Sequence, residues 1–417
     1  MTHWQEVSLT ALGSVERGRS RHRPRNDPRL FGDTLPFFQT GDVKAAMLHM
    51  TSTGQYYSDF GVDQSRVWEP GITCITIAAN IAESAVLGRR GCFPDSVLGF
   101  TPTHQPEDAY FVKYLLDVHR ERLTAAARGT TQDNLSLEKL LAHRFPVPDP
   151  ETRLRIAVLL RSFDELIENN RRRVEVLEEM ARAIYREWFV HFRYPGHEDA
   201  TFIDSLFGHI PEGWSIRTVA ELSAVVTRGI APKYNDDGHW TVLNQKCIRH
   251  ERVSLEKARR QERGVPASKQ IQFGDVLINS TGVGTLGRVA LFLGDHPALT
   301  ADSHVTIVRP AETVMNPWFG MSLVSRRPEF EALGTGSTGQ TELSRHDIGA
   351  LRLVCPQQSV LDRYAEAVWP LLTAVPALFE RNRCLASIRD LILPKLLTGQ
   401  VDVSSLDLDA LVDGASR

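Results

Sequence analysis

The sequence predicts an α+β protein with two tandem β-rich domains, each followed by a long helix, the two helices pairing as an antiparallel coiled coil. Three observations carry that expectation: a long-range internal repeat, a shared order of elements in both copies, and an apolar seam on the helix that closes each copy. A chain of 417 residues has room for two or three domains at roughly 100 to 200 residues each.

The repeat is plainest in two stretches, residues 127–149 (ARGTTQDNLSLEKLLAHRFPVPD) and 334–357 (GTGSTGQTELSRHDIGALRLVCPQ). Each runs from a Gly/Thr/Gln turn through Leu-Ser and a leucine-bearing segment to a strand ended by Pro. Leu135 matches Leu343 and Pro148 matches Pro356, both 208 residues apart. Asp95 matches Asp302, Trp4 matches Trp214, and Arg17-Gly18 matches Arg228-Gly229, at offsets of 207, 210 and 211. The small drift over the full length indicates duplication of a whole domain and not a short-period solenoid. Within each copy come short β-branched runs, such as those at Cys74, Val276 and Val305, divided by Gly, Pro, Asn and Asp turns. A long helix then follows.

On the first helix the residues Ile156, Leu160, Phe163, Ile167, Asn170, Val174, Leu177, Ala181, Ile184 and Trp188 keep an unbroken 4-3-4-3 spacing. That spacing is the coiled-coil period, and the other faces carry eight acidic and eight basic residues between Glu151 and Trp188. Asn170 is the one polar seam residue, and a buried Asn sets register by requiring a partner amide. Val368, Leu372, Val375, Phe379 and Asn382 repeat the pattern 212 residues later, which makes Asn382 that partner. The step from 208 to 212 places an insertion of about one helical turn after the second β domain. Because an interior Pro costs ~3 kcal/mol, Pro370 and Pro376 predict a kink or a broken first segment, with helix from Asn382 until Gly399. Two separate amphipathic helices, each packed on its own domain, are the alternative.

Composition excludes several classes. Hydrophobic residues at 42% and charged residues at 24% fit an ordinary globular chain, not a disordered or disulfide-built one. No apolar run approaches the ~20 residues of a membrane helix, and no export signal opens the sequence, so a soluble cytoplasmic protein is expected. The five cysteines are scattered and form no C-x-x-C pair. The formal net charge of −3 at first disfavours nucleic acid, yet the last 20 residues alone carry that excess. Elsewhere charge is uneven: Arg17, Arg19, Arg21, Arg23, Arg25 and Arg29 face only Asp27, and residues 249–263 hold six basic and three acidic side chains. Such runs either bind phosphate or are simply solvated loops.

No catalytic constellation emerges. Gly282, Gly284 and Gly287 have the G-x-G-x-x-G spacing, but the next segment reads as a strand where a dinucleotide site needs a helix. Asn316-Pro317-Trp318-Phe319 is similar to a loop of amino-methyltransferases but lacks its second Pro, and no methyl-donor motif, P-loop, metal-ligand cluster or nuclease carboxylate set accompanies it. The sequence therefore predicts neither catalytic residues nor a metal.

Residues 145–193 (FPVPDPETRLRIAVLLRSFDELIENNRRRVEVLEEMARAIYREWFVHFR) resemble the central conserved region of the specificity subunit of type I restriction-modification systems. Residues 210–215 (IPEGWS) resemble the opening of that family's second target-recognition domain, and residues 391–407 (LILPKLLTGQVDVSSLD) resemble its C-terminal end. The resemblance covers the whole chain, and it implies target-recognition domain 1 over 1–149, a central helix over 150–195, target-recognition domain 2 over 196–356, a C-terminal helix over 357–400 and an acidic tail over 401–417. It further implies a non-catalytic subunit that binds double-stranded DNA, two methyltransferase subunits and restriction (helicase-nuclease) subunits. S-adenosylmethionine, ATP and Mg then belong to those partners, and no cofactor to this chain. Each domain would read one half of a split target, with the helices as spacer.

For DNA contact the repeated turns are the candidates: Thr130, Thr131, Gln132 and Asn134 in the first copy, and Thr338, Gln340 and Thr341 in the second. Their hydroxyls and amides reach bases or phosphates. Equally, the turns repeat because they cap the next element. Arg19, Arg21, Arg23 and Arg25, with Lys246, Arg249 and Lys269, are candidates for phosphate contact. The first copy lacks the Pro-x-Gly-Trp opening of the second, which predicts a shorter or differently anchored first strand. The competing functions are a self-contained DNA methyltransferase or nuclease, and a coiled-coil scaffold that binds no DNA.

Overall fold

The computed structural model describes residues 4–127, 134–311, 316–334 and 342–405. The protein is a mixed α and β fold in two compact units, residues 1–172 with 379–417 and residues 173–378.

In the first unit a five-stranded sheet has the spatial order Gly13–Arg17, Val97–Pro102, Thr73–Thr76, Ser84–Leu87, His49–Met50. All but the last two neighbours pair antiparallel. The helix Asp108–Ala127 packs on this sheet through Phe111, Val112, Leu115 and Leu116, all fully buried against Ile75, Val86 and Leu98. Each such aliphatic or aromatic side chain withdrawn from water contributes about 1.5–3 kcal/mol. A two-stranded ribbon, Gln5–Val7 with Phe145–Val147, closes the unit. Near it His119, only 7% exposed, packs against Phe145 and meets His143 at 3.3 Å.

The second unit repeats this plan. Its sheet order is Ser223–Arg228, Val305–Pro310, Val276–Asn279, Val289–Leu291, the same four positions in the same sequence. A ribbon of Ser215–Thr218 with Arg352–Cys355 closes it, and its opening strand is one residue longer than Gln5–Val7. A further three-stranded sheet, Arg259–Gln261, Trp240–Leu243 and Leu299–Ala301, is particular to this unit. The run after the G-x-G-x-x-G spacing is the strand Val289–Leu291, as its sequence indicated.

Two long helices complete the chain. The first, Pro150–Tyr185, continues into one wide turn at Arg186–Val190, and none of its ten seam residues is exposed. In the first unit the Asn170 Nδ2 donates to Asn382 Oδ1 at 2.8 Å, and Asn382 Nδ2 reaches the Ile167 carbonyl at 3.3 Å. In the second unit Val174 and Leu177 form a small apolar cluster with Val375 and Leu378.

The C-terminal helix corrects two expectations. It runs unbroken as Gln358–Leu397, through Pro370 and Pro376. Both prolines lie off the buried stripe of Val368, Leu372, Val375 and Leu378, so each carbonyl released by a missing N–H is tolerated while packing on the opposite side holds the axis. The second departure is at the seam: Leu378 is buried and Phe379 is 39% exposed, one position off the predicted spacing. The helix ends at Gly399, whose φ of +71° suits glycine and allows the Gln400 and Gly399 N–H groups to close on Lys395 and Leu396.

Candidate nucleic-acid interface

In each unit the repeated motifs build the same end of the sheet. In the first unit Gly18, just past Gly13–Arg17, donates to the Val97 carbonyl at 2.9 Å and passes so close to Phe93 and Pro94 that no side chain fits. In the second, Gly229 donates to the Val305 carbonyl at 3.0 Å and lies as tightly against Ala301 and Asp302. The repeated Arg-Gly pair is thus a backbone crossing that only glycine permits. The arginine before it bonds the facing turn in both copies, Arg17 to the Asp95 carbonyl at 3.5 Å and Arg228 to the Ser303 carbonyl at 3.0 Å.

The repeated Leu-Ser has a similarly concrete role. Leu135 N–H donates to the Ile77 carbonyl at 3.0 Å, and Leu343 N–H to the Ser280 carbonyl at 2.8 Å, each at the end of the third strand in spatial order. Both leucines are fully buried. Ser136 and Ser344 then cap the helices Leu137–Ala142 and Arg345–Ala350 by accepting from the Lys139 and Asp347 N–H groups. Thr130, Thr131, Gln132, Thr338, Gln340 and Thr341 lie outside the described residues. Asn134 is exposed, directly before the anchored Leu135.

From this end of the first unit emerges the basic segment. Its backbone is held by Arg19 N–H to the Phe93 carbonyl, Arg21 N–H to the Gln64 carbonyl, and Ser65 Oγ to the Arg19 carbonyl. Arg19, Arg21, Arg23 and Arg25 are all exposed. Arg25 is paired with Asp95, both contacts at 2.9 Å, while Asp27 takes Arg29 and His22. The Arg29 guanidinium holds the Asp27 carboxyl well below the usual carboxylate range. Arg19 and Arg23 bond only backbone carbonyls, and Arg21 has no side-chain partner among the described residues. These three charges therefore face solvent without a neutralising carboxylate, which is the electrostatic condition for gripping phosphate.

The second unit distributes its cations differently. Lys246, on the turn Gln245–Cys247, and Arg249 are exposed without a described side-chain partner. Lys269 is half-buried, its Nζ bonded to the Gly229 carbonyl at 2.8 Å, so it braces the glycine crossing. Arg252 is committed to Glu178 at 2.7 and 2.5 Å, and Arg259 stacks over Tyr234 at 3.7 Å.

Sequence reasoning missed Arg228, Thr281 and His304 as members of this face. Arg228 also bonds the Leu343 carbonyl and Glu342, both at 2.8 Å, beside an open hollow of about 730 Å³ lined by Ser344, Arg345 and His346. Burial lowers the Arg228 pKa and Glu342 opposes the shift. Thr281 Oγ1 and His304 Nδ1 meet at 2.7 Å, and burial raises the Asp302 carboxyl despite the His304 N–H it accepts at 2.9 Å. The repeated Arg17-Gly18 and Arg228-Gly229 were the available signal for Arg228; single Thr and His residues gave none.

Among the described residues no group of three or more His, Cys, Asp or Glu side chains is arranged to hold a metal ion, and no helix is long and apolar enough to cross a membrane. What the two faces offer, among the described residues, is cations, hydroxyls and amides at a sheet end.

Comparison with known proteins agrees. Residues 1–179 match the family model described as type I restriction modification DNA specificity domain. The N-terminal part of the chain, residues 1–179, is thus similar to that specificity domain. The chain is 24% identical over 315 residues to the type I restriction enzyme MjaIX specificity subunit of Methanocaldococcus jannaschii, covering 72% of each chain. With the type I restriction enzyme HindI specificity subunit of Haemophilus influenzae it shares 19% identity over 348 residues, 67% of this chain and 74% of that one. Its fold is similar to the crystal structure of the type I restriction-modification S subunit from M. genitalium, with a TM-score of 0.66 at 15% identity over 95% of this chain and 96% of that one.

Proposed function

We propose that this chain is the DNA sequence-recognition subunit of a type I restriction-modification complex, each unit reading one half of a bipartite target with the sheet end described above. The carrying observation is that both units repeat the same glycine crossing and the same anchored Leu-Ser at that end, with uncompensated arginines beside it in the first. In this reading residues 1–149 and 196–356 are the two target-recognition domains, and residues 150–195 and 357–400 form an antiparallel coiled coil between them. The Asn170–Asn382 pair supports that register. A helix of 36 residues spans about 54 Å at ~1.5 Å per residue, enough to set two readers on successive major grooves ~34 Å apart. The helices dock two methyltransferase subunits, to which restriction subunits are added. Methyl transfer and cleavage, with S-adenosylmethionine, ATP and Mg, reside in those partners, in the cytoplasm.

Mapping methylated bases in DNA from a host that carries the complete system tests this. The expected result is a split, asymmetric motif with a fixed gap, and exchange of residues 1–145 for those of another member alters one half only. A continuous motif, or none, overturns it. For the phosphate role, Arg21→Ala weakens binding evenly across sequences and reduces the salt slope of binding by about 1.

A further inference from the structure

We infer that Val283 is a specificity-determining residue of the second unit, an apolar fingertip that touches the 5-methyl group of a thymine in the half-site this unit reads. The inference rests on the DNA-recognition reading and adds to it a residue and a base.

Val283 is 84% exposed, the most exposed large hydrophobic side chain among the described residues. It sits at the tip of the loop between the strands Val276–Asn279 and Val289–Leu291, flanked by Gly282 and Gly284. Gly282, Gly284 and Gly287 have φ of +104°, +69° and +79°, so the turn requires glycine at each. Above the tip there is only open space: a Cβ added at Gly284 meets nothing within 4 Å.

An exposed valine on a loose loop would mean little. This loop is locked from beneath. Asn279, fully buried, donates to the Thr285 carbonyl at 3.1 Å and to the Gln245 carbonyl at 2.9 Å, and its own carbonyl receives the Gly287 N–H at 2.8 Å. Thr285 and Leu286 N–H groups both close on the Gly282 carbonyl, and Arg288 Nη2 bonds the Gly284 carbonyl at 2.8 Å. The protein thus holds rigid a tip that contributes nothing to its own core, an arrangement that lowers the ordering cost of a contact made elsewhere. The bond from Asn279 to Gln245 also ties the loop to the turn bearing Lys246, while Thr281 bridges to Glu342, next to the anchored Leu343. An apolar tip among cations, hydroxyls and an imidazole matches a thymine in the major groove, whose methyl group is the one apolar mark among the base edges.

The test uses the complete methyltransferase complex on synthetic duplexes in which each thymine of the second half-site is replaced in turn by deoxyuridine, deleting one methyl group. For the wild type, one position is expected to lose affinity roughly fourfold, the worth of withdrawing one methyl from water. With Val283→Ser that position becomes indifferent to the replacement, Val283→Ile retains the sensitivity, and the first half-site behaves as in the wild type, which shows the chain is folded. A second half-site without thymine, no sensitive position, or sensitivity that survives Val283→Ser overturns this inference and leaves the split-motif reading standing. A wild-type complex with no sequence preference overturns both.

Discussion

The first unit adds buried ion pairs to the apolar packing between its helix segments and its β domain, whereas the second relies chiefly on aromatic rings beside the partly exposed Arg252–Glu178 pair. In the first, the fully buried Asp164 accepts from the Tyr114 hydroxyl at 2.6 Å and pairs with Arg389 of the C-terminal helix. Asp108, equally buried, takes Arg153 at 2.9 and 3.3 Å, and Glu168 receives the His49 imidazole and backbone N–H, both at 3.0 Å. Burial alone would raise the Glu168 pKa, but the His49 contacts outweigh it and hold the carboxyl below its usual range. In the second unit Tyr185, Trp188, Phe189, Trp214, Trp318 and Tyr364 crowd together, with Phe189 centred 4.7 Å from Tyr364 and 5.9 Å from Trp214. The sheets are alike, so the difference is one of fastening. Paired ions lose heavily when a partner is removed because a buried charge is left behind, whereas edge-to-face rings hold chiefly by the apolar area they bury.

The largest expected effect tests the charged clasp. Asp164→Ala leaves the Tyr114 hydroxyl without its acceptor and Arg389 with only its neighbour Asp390, at a cost of about 3–5 kcal/mol. Hydrogen exchange resolved along the chain should show residues 150–172 loosened and residues 173–378 unchanged; equal loosening in both would erase the contrast. Phe189→Ala, about 3 kcal/mol, should do the reverse and loosen the second unit. Next, Asn170→Ala strands the buried Asn382 Oδ1 and costs about 1–3 kcal/mol in chemical denaturation, while replacing both with Leu brings stability back near the wild type. If the double replacement is as damaging as the single one, the pair does more than satisfy itself.

Acid supplies the mildest probe. Burial, with help from His143 and Arg122, lowers His119 to about 4, whereas the unfolded chain takes up that proton near 6.5. Between those values the unfolded state binds more protons, so the first unit loses stability as pH falls from 6.5 toward 4 and is indifferent above 6.5. In the second unit burial raises Asp275 despite its bond to Arg309, so the folded state binds the extra proton and acid favours folding as pH falls through the raised value. Exchange measured at pH 7.5 and 5 should therefore separate the units, and His119→Gln should flatten the slope of the first.

Much of this was legible because period and burial are coupled. Of the ten seam positions read from spacing on the first helix, six are buried and four half-buried, and a lone polar residue in each helix found its partner. The prolines misled because propensity treats a helix as isolated, while Val368, Leu372 and Val375 hold this one by packing. The site was half visible. Repeated Arg-Gly and Leu-Ser marked the sheet end, but which arginines stay unpaired depends on Asp27 and Asp95, and Asp95 lies 70 residues from Arg25 in sequence. The clasp at Asp164 was invisible for the same reason, since Tyr114 and Arg389 are 50 and 225 residues away.

The anchored Leu135 and the Ser136 cap separate two tasks that a loop usually confounds. Leu135 is held by its hydrogen bond to the Ile77 carbonyl, and the helix behind it starts at the fixed point that Ser136 caps. The same pairing recurs at Leu343, with the Ser280 carbonyl as anchor and Ser344 as cap. Substitutions at the exposed Asn134 should accordingly leave the Leu135 anchor and the helix start in place.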